Sequence, residues 1–160
     1  MKNNRIKVRP AELDDVSLIF SFIQKKSEFD RSIGAYSGVI QVSEDKIRKT
    51  IFGEIPFAYV LLAENLKGAC GFALYGFRYS SFVGQPSIWL DDIYVDENMR
   101  NQGAGSVLMS YLKQIAQEHD CTHLAWNADA RNVRGLNFYH RLGAEIIEQK
   151  SDRCWLKWTI

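Results

Sequence analysis

Asp91-Asp92-Ile93-Tyr94-Val95-Asp96-Glu97-Asn98-Met99-Arg100-Asn101-Gln102-Gly103-Ala104-Gly105 decides how this chain of 160 residues is read. A strand-like run from Ser87 ends in it at Val95, a short loop turns, and a helical stripe of Val107, Leu108, Tyr111, Leu112, Ile115 and Ala116 follows. A helix that starts at such a glycine-rich turn has unpaired leading N–H groups that point outward, and its dipole adds positive potential. Together they cradle a phosphate. Gly103 and Gly105 allow close approach of a bulky anion, and Arg100 can add a charged donor. The pattern is not the dinucleotide fingerprint, because Leu108 stands where a third glycine is required. Nor is it a P-loop, since no Gly-Lys-Ser/Thr follows.

Outward from this loop the pattern is that of a mixed sheet. Upstream, Ile6 to Arg9 alternates as a short strand ended by Pro10. Leu13, Val16, Ile19, Phe20 and Ile23 recur at helical spacing, with Glu12, Asp14 and Asp15 in the first turn, where the dipole favours anions. Ser43 is an N-cap for a second helix carrying Ile47 and Ile51. The apolar runs Phe57 to Glu64 and Ala69 to Phe77 form a hairpin through Asn65-Leu66-Lys67-Gly68. Downstream, Cys121 to Trp126 reads as a strand. Asn132 caps a helix that ends near Gly143, and Cys154 to Trp158 is a last strand. The expectation is one α/β domain over residues 1–160, a mixed, mostly antiparallel central sheet flanked by helices.

Composition narrows the function. Lys plus Arg is 20 and Asp plus Glu is 19, a net charge of +1, which argues against gripping nucleic acid mainly through charge. No apolar run approaches the roughly 20 residues that cross a bilayer, and the polar, basic start has no apolar core of a secretory signal. Cys70, Cys121 and Cys154 are an odd number without CxxC spacing, which reads as reduced, buried thiols in a cytoplasmic protein. His119 and His123 lack an HExxH frame, so no metal site is expected.

Arg100-x-x-Gly103-x-Gly105 resembles the acetyl-CoA pyrophosphate loop of the GNAT acetyltransferase superfamily, written Arg/Gln-x-x-Gly-x-Gly/Ala. Asn132-Val133-Arg134-Gly135-Leu136-Asn137-Phe138-Tyr139 and Gly143-Ala144 resemble the family's Asn…aromatic–Tyr helix and its terminating glycine pair. Within the superfamily the likeness is strongest to the diamine (spermidine/spermine) and thialysine acetyltransferases. It is carried by Arg9-Pro10-Ala11, Phe52 to Phe57, Gly71 to Tyr75, Trp89 to Val95 and Asn137 to Ala144. That subfamily shows Leu-Glu-Asp where this chain has Leu90-Asp91-Asp92, a carboxylate shortened by one methylene.

The resemblance implies direct acetyl transfer from acetyl-CoA to a primary amine in a ternary complex, with no metal, in what is usually a homodimer. Coenzyme contacts then fall to Ile93, Tyr94 and Val95, to the loop residues Arg100, Asn101, Gln102, Gly103, Ala104, Gly105 and Ser106, and to Asn132, Gly135 and Tyr139. Tyr139 takes the place of the acid near the coenzyme sulfur. The backbone of Ile93 to Val95 pairs with the pantetheine arm like an added strand. Phe29 and Asp30 match an aromatic–acid pair that contacts polyamine.

Chemistry sets the remaining roles. An alkylammonium must lose its proton, the carbonyl must be polarised, and the leaving thiolate must be protonated. Asp91 is the candidate to bind the amine or take its proton through water. Asp92 faces the opposite side of a regular strand and joins it only where the strand bulges or splays. From Tyr79 to Met99 there are four acids and no Lys or Arg, among Tyr79, Phe82, Trp89 and Tyr94, which suits a small cationic amine. The alternatives are an aminoglycoside, amino-acid or protein-amine substrate, or a coenzyme-binding module without catalysis.

Overall fold

The computed structural model describes residues 5–160. Seven strands form one sheet in the order β1-β2-β3-β4-β5-β7-β6. They are β1 (Lys7–Pro10), β2 (Tyr59–Asn65), β3 (Gly68–Ser80), β4 (Gln85–Val95), β5 (His123–Asp129), β6 (Glu145–Lys150) and β7 (Arg153–Thr159). The helices are α1 (Val16–Ser32), α2 (Glu44–Ile51), α3 (Ala104–Glu118) and α4 (Val133–Leu142). Only β4 and β5 run parallel; every other neighbouring pair is antiparallel.

Both faces of the sheet are covered, which is why β2 reads as a continuous apolar run. Val60 and Leu62 pack with Phe72 against Val16, Ile19 and Phe22 of α1 and Ile47 of α2. Leu61 and Ala63 turn to the other face and meet Leu108, Met109 and Leu112 of α3. Burial of this kind contributes roughly 25 cal/mol per Å² of apolar surface.

Local signals place most element ends. Ser43 Oγ accepts the Lys46 N–H at 3.2 Å, and Asn132 Oδ1 accepts the Gly135 N–H at 3.0 Å. Gly143, at φ +94°, closes α4 in the left-handed region that glycine occupies without strain. Asp15 does more than meet a dipole. It accepts from Arg9 Nη1 and Nη2 at 2.7 and 3.0 Å and from the Glu12 N–H at 2.7 Å, while Arg9 Nε also reaches Glu64 at 2.9 Å. These pairs tie β1, β2 and the entry to α1 together.

Three expectations change. Leu13 lies in a short 3₁₀ turn ahead of α1 and is exposed. On α3 the buried stripe includes Met109, whereas Val107 is 36% exposed. β6 was absent from the periodicity, because Glu145–Lys150 is an edge strand exposed throughout and has no buried face to alternate with.

Gly71 and Gly76 test the packing of β3. A Cβ at Gly71 would stand 2.7 Å from the Tyr94 carbonyl oxygen, whereas one at Gly76 would meet only the Phe57 carbonyl at 3.6 Å. Gly71→Ala should lower the unfolding free energy by about 1–3 kcal/mol in urea titrations. Gly76→Ala should stay within about 0.5 kcal/mol of the parent.

Candidate active site

The site exists because β4 leaves its neighbour. β4 and β5 pair only at Ile88 with Leu124 and Trp89 with Ala125. In the β3–β4 register Tyr75 faces Leu90 and Leu74 faces Asp92, so Asp91 is the extra residue of a bulge. Leu90 points into the α3-side core, and so do Ile93 and Val95 beyond the bulge. Asp92 instead turns toward α1, as Tyr94 does. The bulge thus brings Asp91 and Asp92 to one cleft, where a regular strand would have separated them.

This cleft, about 1070 Å³, is lined by every residue expected at the site except Gln102. The side chain of Gln102 donates to the Asn98 carbonyl at 3.2 Å. Along the open edge, Asp96 donates its N–H to Cys70 across β3 at 2.9 Å. Backbone polar groups alternate sides along a strand, so Ile93 and Val95 direct theirs into the gap. Arg100 Nε takes the Val95 carbonyl at 3.0 Å, and its guanidinium lies 5.0 Å from the Phe29 ring and 5.5 Å from the Tyr94 ring. Arg100 therefore fastens α1 to the end of β4, beyond the phosphate role the loop pattern suggested.

At the N-terminus of α3, Gly103 has φ +89°, offers no side-chain cap, and its carbonyl accepts first from the Val107 N–H at 3.0 Å. The N–H groups of Ala104, Gly105 and Ser106 precede that first helical bond and line the cleft. A Cβ built on Gly103 meets nothing within 4 Å, and Ala104, Gly105 and Ser106 beside it border the open cleft. Gly105 serves packing instead: its Cβ would come within 3.1 Å of the Phe138 ring on α4. Gly135 is required by its cap, since a Cβ there would press on the Asn132 amide. Arg134, absent from the sequence-based set, lines the same end and donates to Asn101 Oδ1 at 3.3 Å.

Tyr139 stands at the inner end, 7% exposed, its ring 5.0 Å from Trp126 in an edge arrangement. Burial first, then the charges of Asp92 and Asp30, raise its phenol well above the usual range. It therefore keeps its proton through neutral pH. The Trp126 indole N–H is buried without a hydrogen-bond partner among the described residues.

Opposite Tyr139 are the acids. Asp91 is exposed at the rim. Asp92 is deeper, and burial pushes its carboxyl up to about 6; Lys26 opposes the shift while Asp91 and Asp30 add to it. Lys26 Nζ sits 2.5 Å from Asp30 and 3.6 Å from Asp92. Lys26 is not among the residues expected at the site from the sequence. Helical spacing from Asp30 was the only available signal for this pair.

Asp92 binds a proton more tightly in the folded chain than in the unfolded one. Between about pH 4 and 6 the native state therefore holds the extra proton, and stability falls as pH rises through that window. Asp92→Asn should stabilise the fold at pH 7 by about 1–2 kcal/mol, less than the full linkage value because the carboxyl retains some solvent. The gain should vanish below about pH 4, as followed by urea unfolding across pH.

Known proteins share this architecture. The pattern of the acetyltransferase (GNAT) family matches residues 31–144. A thialysine N-epsilon-acetyltransferase of Bos taurus is 32% identical over 152 residues, covering 90% of this chain and 86% of the relative. A spermine/spermidine N(1)-acetyltransferase of Bacillus subtilis is 26% identical over 79 residues, 48% of this chain and 52% of the relative. Among solved structures, an N-acetyltransferase of Thermoplasma acidophilum in complex with coenzyme A superposes with TM-score 0.73 at 12% identity, covering 98% of this chain and 99% of that one. A splayed β4–β5 pair below an uncapped helix end, in a chain so matched, places this protein in the acetyltransferase (GNAT) family as an N-acetyltransferase.

Proposed function

We propose that the protein transfers the acetyl group of acetyl-CoA to a primary amine of a small cationic acceptor, a diamine, polyamine or basic amino acid, in a ternary complex. The observation that carries this reading is the convergence, in one cleft, of a helix N-terminus, a protonated tyrosine and a carboxylate cluster. Thialysine and spermine acetyltransferases among its relatives support the acceptor class. The residues fit the coenzyme: a helix N-terminus without a side-chain cap, bordering the open cleft, suits a pyrophosphate.

Acetyl-CoA supplies an activated thioester carbonyl. The N–H row of Ala104 to Ser106, with Arg134, holds the pyrophosphate, and the open edge of Ile93 and Val95 holds the pantetheine arm as an added strand. Asp91 draws the acceptor's ammonium to the rim. Asp92, ionised above about pH 6, receives the proton that the amine must lose. Tyr139 donates its phenolic proton to the departing sulfur, and the pair is reset through solvent. Holding both reactants in line supplies several kcal/mol of the barrier reduction by itself. A homodimer in the cytoplasm belongs to the same reading; the three buried thiols support the reducing compartment alone.

The primary test is thiol release from acetyl-CoA with a panel of amines, with the acetylated product identified by mass. Binding of the coenzyme without turnover of any amine would favour a non-catalytic module. Tyr139→Phe keeps the packing and should lower kcat by about 100-fold with little change in coenzyme affinity. Arg134→Ala should raise the KM for acetyl-CoA and leave that for the acceptor unchanged. The pH profile of kcat/KM should rise through an acid limb near 6, lost in Asp92→Asn.

A further inference from the structure

The acceptor end of the cleft contains its own cation. Lys26 is one turn before Asp30 on α1, and its side chain is only 20% exposed. Its ammonium spans two elements, 2.5 Å from Asp30 on the helix and 3.6 Å from Asp92 on the bulged strand. Asp91 faces the same cleft. The carboxylate cluster that invites a cationic acceptor is thus partly neutralised from within. An ammonium has three donor protons, and these two carboxylates account for two of them.

A four-carbon chain ending in an ammonium between Asp30 and Asp92 has the shape and charge of one end of a diamine. A polyamine entering the site would bring a second ammonium to a place already filled, and like charges repel there. An acceptor with a carboxylate beside its far ammonium would instead give Lys26 an anion and Asp91 or Asp30 a cation. We propose that Lys26 is the specificity-determining residue of the acceptor site, selecting a zwitterionic basic amino acid over the diamine or polyamine that lacks the carboxylate. The proposal rests on the acetyltransferase reading above and narrows its substrate.

The experiment compares pairs that differ only by the carboxylate: L-lysine with cadaverine, and L-ornithine with putrescine. Steady-state kcat/KM is measured for the parent chain, Lys26→Met and Lys26→Arg, with circular dichroism confirming that each variant is folded. The parent should prefer the amino acid in each pair. Lys26→Met should lower the amino-acid-to-diamine ratio by about tenfold, mainly through opposite changes in the two KM values. Lys26→Arg keeps the charge and should hold the ratio. A ratio unchanged in Lys26→Met, or a parent that prefers the diamines, overturns the role of Lys26 while leaving the acetyltransferase reading intact. Absence of thiol release with every amine overturns that reading, and the proposal with it.

Discussion

One extra residue in β4 organises the cleft. With Asp91 bulged between the pairs formed by Leu90 and Asp92, the strand changes which side chains face which helix. Apolar residues still fill the α3-side core on either side of the bulge, as Leu90, Ile93 and Val95 show. The polar cost falls on Asp92, turned under α1 beside Lys26. Parallel pairing with β5 stops at Trp89, and the unpaired edge beyond it becomes the floor of the cleft. A sheet normally satisfies every interior N–H and C=O through its neighbours, so a gap in the middle of seven strands is an invitation to a ligand.

The helices complete what the bulge begins. α3 starts at the mouth of the gap, with Gly103 in a conformation that leaves its leading N–H groups uncapped. α4 lies against α3 closely enough that Gly105 and Phe138 are in contact, which brings Tyr139 over the inner end. α1 closes the cleft beside the aspartates with Phe29, Asp30 and Lys26, pinned to β4 through Arg100. Each helix thus brings a different chemical group to the cleft: uncapped N–H groups from α3, a buried phenol from α4, and a lysine with an aspartate from α1.

The electrostatics follow from this geometry. Tyr139 and Asp92 both have proton affinities raised mainly by burial, and each charge would disfavour the other. One is a phenol that stays protonated at neutral pH and the other a carboxyl that titrates near 6, so an acid and a base coexist at the same pH. By contrast Asp129, hydrogen-bonded by Arg131, is held down at about 2 and acts as a structural anchor at the end of β5. The same residue type serves opposite ends because one is buried against acids and the other is paired with a guanidinium.

Most of the strands and helices, the caps at Ser43 and Asn132, the glycine stop at Gly143 and the glycine-rich turn into α3 were legible in the sequence, because each depends on residues within a few positions of one another. The resemblance those local patterns carry singled out Tyr139 and the turn into α3, and the fold brings both to one cleft. Three things needed the folded chain. β6 has no buried face, so no periodicity marks it. Gly105 owes its lack of a side chain to Phe138, a residue of another helix. The arrangement of Asp91, Asp92 and Lys26 depends on a bulge whose register is set by β3, and on a helix more than sixty residues earlier in the chain. Alternation along β4 alone would have put the two aspartates on opposite faces. Their convergence, and the lysine between them, is a property of strand pairing and helix docking, interactions that a linear pattern does not encode.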